Sequence, residues 1–293
     1  MKIGFSGLGK MGKPMALHLS KCGKELIVND VVDTHFAEFE KNGVRTTKNI
    51  KDFADCNIIF LCLPNVEVVY DTLFGKGDLA SSLKPGQIIC DFSTSNYNKE
   101  MEICDRLNTL GIRFMDAPIS GMESKAIEGT LTIMCGGEKA LYDELLPYCK
   151  YMGDNIIYMG ANGCGQLTKT INNTLYDIHI AAFSELIPFA VKMGLEPERI
   201  INVINSSTGR SYASQFFLPR ILDGIFEGTY TLNAAYKDLV SCAELAARKG
   251  VPLPVTHSAT NTYQRAILEG LGDNDKGAMV KVFEKLLDVE VRK

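Results

Sequence analysis

A strand-like run, Lys2–Ser6, opens directly into Gly7-Leu8-Gly9-Lys10-Met11-Gly12. Helical periodicity follows through Met15, Leu17, Leu19 and Cys22 and stops at Gly23. Glycines in the pattern G-x-G-x-x-G between a strand and a helix leave few folds open. The first allows a tight turn, the second lets backbone approach a pyrophosphate, and the third lets the helix pack closely on its strand. The helix N-terminus then offers unpaired N–H groups and a partial positive charge to phosphates. The placement predicts a dinucleotide site whose phosphate-facing turn is Gly7, Leu8, Gly9, Lys10, Met11 and Gly12.

A second strand, Glu25–Asn29, closes on Asp30. An acidic side chain there accepts hydrogen bonds from the adenosine ribose, so Asn29 and Asp30 join the expected cofactor contacts. A 2′-phosphate would face like charge, a repulsion of about 1–4 kcal/mol at ~4 Å. The following Val31-Val32-Asp33-Thr34 contains no Arg to hold such a phosphate, so the expected cofactor is NAD rather than NADP. Ligands of open α/β sheets sit outside the carboxyl ends of strands. Leu63 and Pro64, after the fourth strand, and Thr94, after the fifth, are therefore further expected cofactor neighbours.

Later strand-like runs are Val44–Thr46, Ile58–Leu63, Gln87–Phe92, Phe114–Asp116, Leu131–Cys135 and Asn155–Met159, with helical patterns at Asp33–Asn42 and Tyr97–Leu110. This alternation predicts α/β architecture: an N-terminal Rossmann-like, doubly wound parallel sheet with helices on both faces. After Gly165 every segment reads as helix. The expected organisation is a dinucleotide-binding domain over 1–162 and an all-α domain over 163–293, joined by a long interdomain helix. The helical portion shows no evident core of its own, which points to a homodimer or homotetramer packed through apolar helix faces.

Composition excludes other classes. A net charge of −4 and a pI near 5.7 give no basic footprint for nucleic acid. No uninterrupted apolar run reaches the ~18 residues of a membrane span, and no signal-peptide pattern is present. The nine cysteines are odd in number and lack C-x-x-C spacing, so no disulfide framework or zinc site is expected. Those in strand-like runs, Cys62, Cys90 and Cys135, read as small buried hydrophobes in a reducing cytoplasm. The four histidines, His18, His35, His179 and His257, have no metal-ligand spacing.

Several blocks together resemble the β-hydroxyacid dehydrogenases, the 3-hydroxyisobutyrate dehydrogenase family. They are Gly7 to Ala16, Leu63-Pro64-Asn65, Asp91-Phe92-Ser93-Thr94, Asp116 to Gly121 continuing to Gly129-Thr130-Leu131, Gly163 to Asn173, and Lys237-Asp238-Leu239. The resemblance spans nearly the whole chain. It implies an NAD(P)-dependent oxidoreductase in which Lys169 is the catalytic acid/base and Asn173 assists it. It also implies that Ser120 and Gly121 bind the substrate carboxylate, that Lys237 lies at cofactor and substrate, and that Leu63, Pro64 and Thr94 touch the cofactor. Met122 stands where the family usually has a second glycine, and Ser124-Lys125-Ala126 where it often has Gly-Ala. Met122 joins the expected substrate contacts, and these departures bear on substrate identity.

The residue types suit the chemistry. Lys169 and Asn173, four apart, share one helix face. Exchange of hydride with an alcohol carbon needs a base for the hydroxyl proton and, in reverse, an acid for the developing alkoxide; a lysine serves both. The Gly163-Cys164-Gly165 turn lets this helix start close to the cofactor, its positive end favouring an anionic substrate. Arg210 lies in Ser206-Ser207-Thr208-Gly209-Arg210-Ser211-Tyr212, a polar break between helices. Its planar fork suits a second, distal carboxylate, and the stretch resembles the 2-(hydroxymethyl)glutarate dehydrogenase branch. The expected substrate is a small 3-hydroxy acid or its semialdehyde, 3-hydroxyisobutyrate-like or 2-(hydroxymethyl)glutarate-like. Succinic or tartronate semialdehyde reductase is the alternative within the family. A non-catalytic NAD-binding regulator is the alternative outside it.

Overall fold

A computed structural model describes residues 1–293. The strands are β1 (Lys2–Ser6), β2 (Glu25–Asn29), β3 (Arg45–Thr47), β4 (Ile58–Leu61), β5 (Ile88–Asp91), β6 (Arg113–Asp116), β7 (Ile119–Ser120), β8 (Leu131–Gly136) and β9 (Gly153–Gly160). The helices α1 (Gly12–Leu19), α2 (Phe36–Lys41), α3 (Val66–Phe74), α4 (Tyr97–Thr109), α5 (Met122–Glu128) and α6 (Lys139–Cys149) alternate with them. Then come α7 (Cys164–Lys192), α8 (Pro197–Ser206), α9 (Tyr212–Leu222), α10 (Leu232–Arg248), α11 (Pro254–Ala266) and α12 (Val280–Leu287). The chain divides into two compact units, Met1–Lys169 and Thr170–Lys293, with α7 running through the division.

The first unit is built on one sheet in the order β3-β2-β1-β4-β5-β6-β8-β7, with β9 beside β8. Strands β1 to β6 pair in parallel. Every residue of β4 and β5 is buried, as expected for strands covered on both faces. Side chains alternate between two cores. Ile3, Phe5, Ile58, Phe60 and Cys90 meet α1 and α6 on one face, and Ile59, Leu61 and Ile89 meet α3 and α4 on the other. Phe60 stacks on Phe92 at 5.3 Å between ring centroids.

The doubly wound, mainly parallel sheet expected from sequence is present, and at its far edge β7 and β6 pair antiparallel with β8. The intervening segment, 121–130, is shorter than the dozen or so residues a parallel crossover needs, so the chain reverses instead.

The second unit is all helical apart from a single bridge between Thr231 and Asp275. It has its own core, contrary to the sequence expectation. Ile180, Ile187, Phe217, Ile221, Leu232, Leu239, Tyr263 and Val280 form one buried cluster. These positions come from five separate helices, so no single window displays the core. Helix α7 is long and apolar enough to cross a membrane by length and composition. It nevertheless buries Asp177 and Ser184 completely, as a helix inside a protein core does.

Candidate active site

The first unit gathers its functional residues at the carboxyl ends of β1, β2, β4, β5 and β6. Strand β1 lies between β2 and β4, so the chain order reverses there, which is where such sheets bind ligands. At the turn after β1, Gly7 has φ +98°, and a Cβ on it would lie 2.2 Å from the Cys62 carbonyl oxygen. A Cβ on Gly12 would lie 1.9 Å from the Gly7 carbonyl oxygen, so α1 can begin this close only without a side chain. At Gly9 a Cβ would meet nothing within 4 Å. The space above Gly9 is thus open to a ligand, while the other two glycines are fixed by the fold. Residue Met11 at the start of α1 provides no side-chain cap, and the first turn carries no acid. Lys13 N–H donates to the Gly9 carbonyl at 3.0 Å, and no side chain competes for the helix start, so the turn fits the pyrophosphate of a dinucleotide. Lys10 is exposed and Leu8 buried.

Asp30 braces this turn. Its Oδ2 accepts from the Leu8 N–H at 2.7 Å and its Oδ1 from the Val32 N–H at 3.1 Å. Asn29 is turned into the fold: Ser6 Oγ donates to its Oδ1 at 2.9 Å, and its Nδ2 donates to the Thr47 carbonyl at 3.0 Å. Its own carbonyl accepts from the Gly7 N–H at 2.9 Å, so Asn29 acts on the crevice by holding Gly7.

Next along the crevice, the Leu63 N–H donates to Ser93 Oγ at 2.9 Å, tying the ends of β4 and β5 together. Pro64 and Thr94 are exposed beside them. Gln166 of α7 grips both sides of Thr94, its Oε1 accepting from the Ser95 N–H at 3.0 Å and its Nε2 donating to the Ser93 carbonyl at 2.8 Å. Helix α7 itself is capped by Asp116 at the end of β6, which accepts from the N–H groups of Gly163 at 2.7 Å and Gln166 at 2.9 Å. This corrects one expectation: the positive end of α7 is already occupied by a carboxylate of the fold, so it is not available to an anionic substrate.

A cluster of buried acids surrounds that cap. Asp91, Glu100 and Asp116 are each fully buried. Burial pushes Asp91 and Asp116 up to about 6, the latter against the backbone N–H groups that favour its charged form. Burial, with Asp91 and Asp116 alongside, holds Glu100 well above the usual carboxylate range.

The Ser120–Met122 turn follows β7, where Ser120 pairs across to Thr132. Gly121 has φ 142° and Met122 the left-handed value of 61°, which is uncommon for a residue with a side chain. A Cβ on Gly121 would lie 2.8 Å from both Cβ and Cδ of Lys125, whose stem therefore covers this turn. Lys169 is half-buried in the second turn of α7.

In the second unit Asn173 continues the same face of α7, four residues on. Its Nδ2 donates to Asp238 Oδ2 at 2.8 Å, and the Tyr230 hydroxyl donates to the same oxygen at 3.4 Å. Lys237, the preceding residue of α10, is exposed, as is Arg210 in the turn between α8 and α9. Sequence reasoning assigned no role to Asp238, Gln166 or Asp116. Asp238 stood inside the Lys-Asp-Leu block, and its partner lies 65 residues away. Pairings at that distance leave no local signal.

A doubly wound sheet with this glycine turn, followed by a helical unit entered through a Lys-x-x-x-Asn helix, defines a class: dinucleotide-dependent dehydrogenases. The comparisons agree. A family model described as the NAD binding domain of 6-phosphogluconate dehydrogenase matches residues 2–160. One described as NAD-binding of NADP-dependent 3-hydroxyisobutyrate dehydrogenase matches residues 163–283. The chain is 35% identical to 2-(hydroxymethyl)glutarate dehydrogenase of Eubacterium barkeri over 99% of its own length and 97% of the relative's. It is 30% identical to 2-hydroxy-3-oxopropionate reductase of Escherichia coli, over 97% of both chains. The crystal structure of a Salmonella typhimurium 3-hydroxyisobutyrate dehydrogenase superposes with a TM-score of 0.85 at 26% identity, covering 97% of this chain and 100% of that one. The chain belongs to the 3-hydroxyisobutyrate dehydrogenase family of β-hydroxyacid dehydrogenases. It is an NAD(P)-dependent oxidoreductase acting on the hydroxyl group of small hydroxy acids.

Proposed function

We propose that the chain interconverts a small 3-hydroxy acid and its semialdehyde with NAD(H), on a substrate resembling 3-hydroxyisobutyrate or 2-(hydroxymethyl)glutarate. The observation that carries this reading is the shared face of Lys169 and Asn173 on α7, with the Asn173 amide oriented by Asp238. When bound, the nicotinamide exchanges hydride with the carbon bearing the reacting oxygen. Lys169 takes the proton from that oxygen in oxidation and returns it in reduction. Asn173 has given its Nδ2 to Asp238, so its Oδ1 is the end left to accept from the lysine ammonium or the substrate hydroxyl. The Ser120 hydroxyl and the N–H groups of Gly121 and Met122 bind the substrate carboxylate. Lys237 adds a cation for cofactor and substrate, and Arg210 takes a second carboxylate where the substrate has one.

The Gly7–Gly12 turn takes the pyrophosphate, Asp30 the ribose, and Leu63, Pro64 and Thr94 flank the cofactor. The preference for NAD rests on Asp30 and on its surroundings. Lys13 of α1 and Lys48, just after β3, are paired with Glu38 and Asp33, each at 2.7 Å, and so are already engaged. The enzyme is read as cytoplasmic and as a homodimer or homotetramer. Ile171, Leu175, Leu186 and Phe189, all exposed on α7, with exposed Met193 just past its end, make an apolar stripe that suits a second copy.

A panel of substrates tests the reading: 3-hydroxyisobutyrate, 2-(hydroxymethyl)glutarate, 4-hydroxybutyrate, glycerate and their semialdehydes, each with NAD(H) and NADP(H). The expected result is turnover on a 3-hydroxy acid or its semialdehyde, with a larger kcat/KM for NADH than for NADPH. Equal values for the two cofactors contradict the role of Asp30, and no turnover on any member contradicts the substrate class.

A further inference from the structure

Helix α7 carries a second titratable group that proton exchange at the substrate does not use. One turn beyond Asn173, Asp177 is 0% exposed, and Lys276, in the short turn Lys276–Met279, is 2% exposed. The Lys276 ammonium donates to Asp177 Oδ1, and the hydroxyl of fully buried Tyr263 donates to the same oxygen at 3.2 Å. The ammonium also lies over the rings of Tyr176 and Tyr230, at 4.6 and 5.0 Å from their centroids. Tyr230 in turn reaches Asp238, and Asp238 holds Asn173. The buried pair is therefore three contacts from the amide assigned to the reaction, with Tyr230 and Asp238 between.

Stability does not account for this pair. Removing two ions from water costs several kcal/mol each, and well-packed apolar residues of similar volume commonly stabilise a core as well or better. The pair is also incompletely satisfied, because Asp177 Oδ2 has no hydrogen-bond partner although it is buried. What the pair supplies is direction. A charged hydrogen bond joins one face of α7 to the 276–279 turn, and the same ammonium fixes the ring of Tyr230 from beneath.

We propose that Lys276 and Asp177 are positioning residues for Asn173, acting through Tyr230 and Asp238 to present the Asn173 amide in a single orientation. The proposal rests on the reading of Asn173 given above. The test compares Asp177→Leu, Lys276→Met and the double variant with the native enzyme. Each single variant leaves an uncompensated buried group and lowers Tm, and the double variant recovers the Tm. With positioning lost, kcat of the double variant stays about tenfold or more below native while KM for NADH is unchanged. The second readout is independent of turnover: hydrogen exchange of the Asn173 side-chain amide in protein labelled with 15N-asparagine, its resonance assigned by its loss in Asn173→Ala. That exchange speeds up about tenfold in the double variant. A double variant with native amide exchange overturns the proposal, whatever its activity. If Asn173→Ala itself keeps native kcat, the catalytic reading of Asn173 falls, and amide exchange alone still decides the positioning claim.

Discussion

At the residue scale, the glycine turn separates binding from folding more sharply than its pattern suggests. Gly7 and Gly12 have no room for a Cβ, whereas Gly9 has only open space around it and does not adopt a positive φ. Gly9→Ala should therefore fold normally, with Tm within about 2 °C of native. The added methyl would stand where a pyrophosphate must approach, and Kd for NADH should rise about tenfold or more. Gly12→Ala should instead lower Tm, since its Cβ would overlap the Gly7 carbonyl. Calorimetry with and without NADH measures both. A Gly9→Ala protein that binds NADH as tightly as native would contradict the assignment of this turn. Asn29 and Asp30 show what spacing alone does not say. Their place at the end of β2 points to cofactor contacts, yet the Asn29 side chain bonds Ser6 and Thr47, and Asp30 already accepts from Leu8.

At the scale of elements, buried carboxyls meet the start of α7, with Asp91 beside them on the Ser93 N–H. Asp116 caps the helix, and Glu100 lies within 3.5 Å of the Gln166 amide. All three carboxyls are raised in the fold, to about 6 for Asp91 and Asp116. The folded state thus binds more protons than the unfolded state above the ordinary carboxylate values near 4. Their contribution to stability is complete below those values and is lost as pH rises through the folded ones. Glu100→Gln, which cannot ionise, should raise Tm by a few degrees more at pH 8 than at pH 5. An equal effect at both pH values would show that Glu100 is not held protonated. Alternating strands and helices, the glycine turn and the long helix near Gly165 were legible in the sequence, because each is a local pattern of period or punctuation. The antiparallel edge, the cap of α7 by Asp116 and the pairing of Asn173 with Asp238 were not. The cap and the pairing depend on partners 47 and 65 residues apart, and the edge on strands as short as β7, a pair of residues.

At the scale of the whole molecule, the exposed stripe on α7 predicts self-association. Light scattering should give a mass at least twice the 32.2 kDa of one chain. Leu186→Glu with Phe189→Glu should shift it toward the monomer, and a native monomer would contradict the assembly. The family membership rests on blocks spread along almost the full length, and the chemistry rests on one amine among them. The most direct test is the turnover of Lys169→Ala with the substrate found in the NAD(H)-linked panel. The account predicts a fall in kcat of about 100-fold or more, with Kd for NADH nearly unchanged because the phosphate turn and Asp30 are untouched. A variant that turns over at the native rate would contradict it.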